Sequence, residues 1–154
     1  MSIAYILVGM PGSGKTAFRE KLKLTPISTD DIIERHARSF GKTYSEVFHI
    51  TIGNAEKEMW ANLGQTVNDR IPFIVDRTNL TKKSRAKVLS RIPGYYTKVA
   101  VVFPSPDNIL EILVDRAKAT GKDIPMAAIK EMNDNFVYPT HDEGFDIIME
   151  YKRS

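Results

Sequence analysis

The chain has no cysteine among its 154 residues. That absence excludes disulfides, thiolate metal centres and cysteine nucleophiles together, and it fits a reducing compartment. There is no run of about 18 apolar residues, the length that a membrane-spanning helix needs. The opening MSIAYILVG has neither the basic flank nor the small-residue cleavage site of a secretion signal. The expected location is therefore the cytoplasm, with no membrane partner. Acid is missing from one long stretch: between Asp76 and Asp107 there is none, while Arg77, Lys82, Lys83, Arg85, Lys87, Arg91 and Lys98 are all cationic. The chain's net charge is only +3, so the rest of it is net acidic. A basic block of this kind attracts phosphate or a polyanion, or forms a solvated helix face. His36, His49 and His141 share no metal-site spacing.

What is present suits one globular domain. Hydrophobic residues make up 42% and charged residues 27%, and a chain of this length buries a single core. Ile3 to Val8 is an apolar run ended by Gly9, long enough for a buried strand and too short for a helix. Gly14 to Leu24 has helical spacing and stops before Thr25-Pro26, because the residue before proline resists helical dihedrals. An extended piece covers Ile27 to Thr29. Residues 31 to 70 read as helical, with Ile52, Ala55, Met59, Leu63 and Val67 on one stripe and Gly41, Gly53 and Gly64 as expected breaks. Pro72 to Val75 and Val99 to Phe103 read as strands. Helices are expected at Thr81 to Ile92, Pro106 to Ala119 and Pro125 to Val137, and a last short strand at Phe145 to Met149. Strands separated by helix-length segments need crossover connections, so the predicted fold is α/β, a parallel sheet with helices on both faces. Ligands in such sheets bind beyond the carboxyl ends of the strands.

The first strand ends in Gly9-Met10-Pro11-Gly12-Ser13-Gly14-Lys15-Thr16, which matches GxxxxGK[ST] between a strand and a helix, the context of the phosphate-binding P-loop. At ordinary residue frequencies, chance supplies well under about 0.01 such matches in a chain of this length. Glycines let backbone amides converge on phosphate oxygens, and the helix amino terminus adds positive potential. In this motif Lys15 reaches the β and γ phosphates and Thr16 offers its hydroxyl to Mg²⁺. The second extended piece ends in Asp30-Asp31. Asp30 is the candidate to face the crevice as a general base, and Asp31 the candidate cap for a helix beginning at Ile32. The third strand ends in Asp76-Arg77-Thr78-Asn79. Asp76 is placed as a metal-holding aspartate is, while Thr78 and Asn79 could serve as turn residues.

A GxPGSGKT loop, an extended segment ending in Asp-Asp, an aspartate in DxTN and an arginine-bearing helix pair together resemble the P-loop kinase domain of polynucleotide 5′-hydroxyl kinases. The likeness is strongest to the kinase domain of bacteriophage polynucleotide kinase-phosphatases, and it spans nearly the whole chain. It implies an adenylate-kinase-like five-stranded sheet and transfer of the ATP γ-phosphate to a 5′-hydroxyl of DNA or RNA. By position, Lys15 and Thr16 match the ATP and Mg²⁺ residues. Asp30 matches the general base, Asp76 the DxTN aspartate, and Arg116 a lid arginine in a lid of about residues 116–124. An arginine that the family carries three residues past the base is Ile33 here, with Arg35 two further on. A second lid arginine is replaced by Thr120, with Lys118 and Lys122 nearby. The resemblance thus nominates Gly9, Pro11, Gly12, Ser13, Gly14, Lys118 and Lys122 for the nucleotide, and Arg35, Arg77, Thr78 and Asn79 with Asp30 for the acceptor. No DxDxT phosphatase motif occurs, so no phosphatase activity is expected.

Two other functions fit the same residues. A P-loop kinase of a nucleoside, nucleotide or sugar would share the loop, the aspartates and the lid, and would differ in having an acceptor pocket of aromatic and polar groups, for which Trp60, Tyr44 and Phe48 are candidates. A nucleotide-binding switch without transferase activity would hydrolyse ATP slowly with no acceptor dependence. Tyr95-Tyr96 could stack bases or pack on a helix. Nothing in the sequence specifies an oligomeric state.

Overall fold

The computed structural model describes residues 2–151. Its strands are β1 (Ile3–Gly9), β2 (Thr25–Ile27), β3 (Phe73–Val75), β4 (Thr97–Phe103) and β5 (Ile147–Glu150). Its helices are α1 (Lys15–Leu22), α2 (Thr29–Phe40), α3 (Tyr44–Asn68), α4 (Lys82–Leu89), α5 (Ile109–Thr120) and α6 (Met126–Asp134). The strands form one parallel sheet in the order β2-β3-β1-β4-β5. Period-2 alternation sends Ala4, Ile6, Val8, Phe73, Val75, Ala100 and Val102 to one face, against Ile33 of α2, Ala55, Met59 and Leu63 of α3 and Val88 of α4. Leu7, Ile74, Val99, Val101 and Phe103 face the other side, against Phe18 of α1. A third cluster, Met10, Leu80, Leu113 and Ile129, roots α5 and α6 beside the carboxyl ends of the strands.

Several boundaries differ from the sequence reading. The second strand is Thr25–Ile27, not Ile27 to Thr29. It lies at the edge of the sheet, where Pro26 is tolerated because the missing N–H has no ladder partner to lose. Gly41 does end α2, in the left-handed region at φ 65°. Gly53 and Gly64 interrupt nothing, because α3 runs unbroken for 25 residues. Both sit with open space around them, and the buried stripe Val47, Thr51, Ala55, Met59, Leu63 and Thr66 outweighs a propensity cost of about 1 kcal/mol per glycine. Strand β4 begins two residues earlier than expected, and the last strand begins at Ile147 because Phe145 is instead buried in the loop before it.

The basic block does not form a uniformly solvated face. Arg85 is fully buried. Its guanidinium donates to the carbonyls of Asn79 at 2.9 Å and Val137 at 2.8 Å and pairs with Glu143 at 2.8 Å. It thereby joins α4, the chain leaving β3 and the 3₁₀ turn His141–Glu143. Removing one member of a buried pair leaves the other uncompensated, at a cost of about 3–5 kcal/mol. Chemical denaturation of Glu143→Ala is expected to show a loss of about that size, against a change within about 0.5 kcal/mol for the exposed Lys83→Ala on the same helix.

Candidate active site

The loop from Gly9 to Thr16 folds as a strand-to-helix turn whose glycines answer two steric demands. At Gly9 an added Cβ would lie 2.7 Å from Ser13 Oγ and 2.9 Å from Phe103 Cβ, closer than real contacts allow. Gly14, the residue before α1, has φ 104°, a conformation open mainly to glycine. Ser13 is buried and donates its hydroxyl to the Met10 carbonyl at 2.7 Å, so it braces the loop and does not face the cavity.

Lys15 Nζ donates to the carbonyl of Gly9 at 2.7 Å and to that of Met10 at 3.3 Å. Burial pulls its pKa down from 10.5 to about 8, against the upward pull of Asp76 and Asp30 and with a further downward push from Arg116 and Lys122. These five groups share one cavity of about 820 Å³ with Pro11, Gly12, Gly14 and Thr16 of the loop and with Arg77 and Thr78. The loop amides, a desolvated ammonium and the amino end of α1 form an anion cradle of the kind a triphosphate needs. Thr16 and Asp76 lie in that same cavity and supply the hydroxyl and carboxylate oxygens that suit Mg²⁺.

The turn after β3 is tied to β1 twice. Gly9 N–H donates to the Thr78 carbonyl at 2.9 Å, and Asn79 Nδ2 donates to the Leu7 carbonyl at 2.8 Å. Asn79 is buried with φ 48° and does not line the cavity. Its place in the structure is that of a clamp aligning the ends of β1 and β3, which sets Asp76 beside the loop.

Asp30 and Asp31 divide their tasks differently from the sequence reading. Helix α2 begins at Thr29, and its cap is Ser28, which accepts from Asp31 N–H at 3.2 Å. Asp31 is not the cap. Its carboxylate is gripped by both terminal nitrogens of Arg19, and the same guanidinium reaches Asp76 at 3.0 Å. The sequence reading missed Arg19, although it lies four residues, about one turn, beyond Lys15 on α1 and so shares its side of the helix. The two carboxylates hold its pKa well above the ordinary arginine value, against the cost of burial.

Asp30 lines the cavity with its side chain 55% exposed. One oxygen accepts the Tyr44 hydroxyl at 2.6 Å, and the other faces Lys122 at 3.7 Å. Burial and the adjacent Asp30 charge push the Tyr44 phenol far above its usual pKa, so it stays a donor to Asp30. Lys122 also pairs with Glu34 and lies 4.9 Å from the Tyr44 ring centre. Arg116 and Thr120 of α5 complete this wall. Beside Ser13 and Asn79, three more nominated residues stay outside the cavity lining: Gly9, Arg35 and Lys118. Arg35 forms a two-pronged pair with Glu58 at 2.8 and 2.9 Å on the outer side of α2 and α3, and Lys118 is exposed on α5 away from the cavity lining. Trp60, Phe48 and Tyr44 are also absent from the lining and pack against the main core.

A five-stranded parallel sheet of this order, with a glycine-rich loop leading from its central strand into a helix, is a P-loop kinase-like fold. The chain belongs to the AAA domain family, whose model matches residues 5–139. Solved structures agree. A chain of the Pnkp1/Rnl/Hen1 RNA repair complex is 25% identical with a TM-score of 0.67, covering 86% of this chain. This protein spans only 43% of that longer chain. A chain of the PezAT chromosomal toxin-antitoxin system of Streptococcus pneumoniae gives a TM-score of 0.74 at 16% identity, covering 99% of this chain and 67% of that one. A gluconokinase from Sinorhizobium meliloti 1021 gives 0.53 at 16% identity, covering 99% and 85%. The fold supports phosphotransferase chemistry of the sort that generally uses ATP and Mg²⁺. Among the described residues no helix is long and apolar enough to cross a membrane.

Lys15 yields a signed prediction. Bound polyphosphate favours the charged ammonium, so the bound-state pKa lies above the free-state value of about 8 and binding takes up a proton in the interval between them. Nucleotide affinity should be flat below pH 8 and fall above it, by up to about tenfold per pH unit. Calorimetric titration of ATP between pH 7 and 9.5 measures the slope, and Lys15→Met, weaker throughout, should lack it.

Proposed function

We propose that this chain transfers the γ-phosphoryl group of ATP to the 5′-hydroxyl of a polynucleotide, DNA or RNA. The observation that carries the reading is the composition of the cavity. It joins the anion cradle to an open, solvent-facing Asp30, its walls are charged and free of aromatic rings, and Arg77 lies on its edge. A pocket for one small acceptor would enclose it with apolar and aromatic groups. The 25% identity to a chain of an RNA repair complex supports the same substrate class.

In this reading the amides of Gly12, Gly14, Lys15 and Thr16, which line the cavity, hold the triphosphate together with the Lys15 ammonium. Thr16 and Asp76 would hold Mg²⁺, which when bound neutralises charge on the β and γ oxygens. Asp30 accepts a hydrogen bond from the acceptor hydroxyl and takes its proton as that oxygen bonds to the γ phosphorus. The bond from that phosphorus to the bridging oxygen breaks and ADP leaves. Tyr44 holds Asp30 in place from behind. Residues 116–124 act as a lid, in which Arg116 and Lys122 move onto the transferring phosphates and compensate charge that develops there. Lys122 now holds Asp30 and Glu34 from a side chain only 10% exposed, so on closure it exchanges these carboxylates for phosphate oxygens.

A second reading, transfer to a small-molecule alcohol, is supported by the cavity volume of about 820 Å³, within the usual small-ligand range of about 300–1,000 Å³. One assay separates the two: labelled γ-phosphate offered with Mg²⁺ to 5′-hydroxyl oligonucleotides, nucleosides, nucleotides and sugars. Labelled oligonucleotides are expected, and labelling of a small molecule alone would replace the first reading with the second. Asp30→Asn should lower turnover by about 10²–10⁴-fold, the contribution of a general base, with ATP affinity changed less than about threefold. A fully active Asp30→Asn protein would remove the base assignment.

A further inference from the structure

The chain's only tryptophan lies under three cations. Arg91 of the turn after α4 stands 4.1 Å from the centre of the Trp60 ring, Lys87 of α4 stands 5.2 Å from it, and Arg77 stands 5.4 Å from it. Among the described residues the one acid paired with this group is Glu56, 3.7 Å from Arg77 and one turn before Trp60 on α3. Lys87 and Arg91 are exposed like charges, and Arg91 Nη1 donates to the Lys87 carbonyl at 2.7 Å, which sets the two cations side by side against their repulsion. A ring face beneath each cation offsets part of that repulsion and holds the charges in one place. Arg77 belongs both to this cluster and to the cavity lining, so the positive surface is continuous with the acceptor side of the site.

We propose that the surface formed by Trp60, Arg77, Lys87 and Arg91 binds the phosphodiester backbone of the acceptor strand downstream of its 5′ end. The proposal rests on the polynucleotide reading and names where the strand leaves the cavity. Phosphates recur about every 3.4 Å of rise along a stacked strand, so a cluster gathered around one ring meets two or three of them. Such contacts add affinity with chain length and carry little base preference, because they address charge. The opening between Asp30 and Arg77 then takes the terminal nucleotide, and Trp60 reports the arrival of the nucleotides behind it.

The test uses Trp60 fluorescence, which has a single source in this chain, together with KM as a function of acceptor length. Adding a 12-nucleotide 5′-hydroxyl oligothymidylate is expected to change the emission saturably, whereas thymidine 3′-monophosphate should leave it nearly unchanged. In a Lys87→Ala/Arg91→Ala double variant, KM for the 12-mer should rise about tenfold relative to KM for thymidine 3′-monophosphate. The dependence of log affinity on log salt, measured by anisotropy of a 3′-labelled 12-mer, should become shallower by about 1.4, at about 0.7 per lost single-strand phosphate contact. The exposed pair Lys82→Ala/Lys83→Ala is the control and should show neither change. A 12-mer that is phosphorylated while Trp60 emission, the KM ratio and the salt slope stay at wild-type values would overturn this surface and leave the polynucleotide reading standing. A 12-mer that binds with the emission change but receives no phosphate would overturn the acceptor reading and leave the surface standing. A 12-mer that neither binds nor is phosphorylated would overturn both.

Discussion

A buried ammonium with no carboxylate in contact among the described residues is the constraint on which the site depends. Lys15 is held by two carbonyl oxygens of its own loop, which take two of its three hydrogens without cancelling its charge, and burial is the largest influence on its pKa. Every other charge in the cavity is arranged with respect to it. Asp76 and Asp30 lie near enough to raise its pKa, yet each is occupied elsewhere, Asp76 by Arg19 and Asp30 by Tyr44 and Lys122. A carboxylate in direct contact with Lys15 would satisfy the ammonium and compete with an incoming phosphate. Arg19 prevents this by taking both oxygens of Asp31 and one of Asp76, so the loop keeps an uncompensated cation for its ligand.

The placement of those charges is a consequence of strand register. Ile6 pairs with Val75 and Gly9 with Phe103, so β1 runs past the end of β3 and the glycine-rich loop starts beyond the turn that carries Asp76. Two hydrogen bonds close the gap, one to the Thr78 carbonyl and one from the Asn79 side chain. Arg85 then holds the Asn79 carbonyl from below. A buried ion pair far from the phosphate cradle is thereby connected to it through one residue, since loss of Arg85 would release the carbonyl that anchors the Asn79 turn.

Much of this was legible in the sequence because it rests on local rules. A strand followed by GxxxxGKT places Lys15 and Thr16, and alternation of strands and helices yields the parallel sheet whose carboxyl edge carries Asp30 and Asp76. What was not legible depends on contacts between distant segments. Arg85 reads as one more cation in a basic helix, and only the approach of Glu143 and the Val137 carbonyl shows it to be interior. The sequence reading chose Asp30 for the crevice and made Asp31 a cap, and only the approach of Arg19 from α1 shows what Asp31 does instead. Arg35 sits five residues from Asp30 and faces away from the cavity, because five residues on a helix turn the side chain through about 500°. Gly53 and Gly64 read as breaks because propensity is local, whereas the continuity of α3 is decided by the stripe it buries.

The same fold accommodates a gluconokinase and a chain of an RNA repair complex, so the sheet and loop do not choose the acceptor. Phosphoryl transfer needs the same groups for any hydroxyl: a cradle, a metal-holding pair and a base. Discrimination has to come from what lies around Asp30 on the side away from Lys15. In this chain the cavity lining holds no aromatic ring, and Tyr44, whose hydroxyl meets Asp30, packs its ring against the core. The cavity opens instead past Arg77 toward cations held over Trp60. On the proposed reading, affinity for a polynucleotide acceptor comes largely from phosphates several bonds away from the reacting hydroxyl. Such remote contacts remain unchanged as the γ phosphorus is transferred, so they lower KM and leave the barrier to be lowered by Asp30, Lys15 and the lid cations. The division separates recognition from chemistry along the sequence. The proposed base belongs to α2 and the proposed cradle to the β1-α1 turn, while the proposed strand surface belongs to α3, α4 and the turns after β3 and α4.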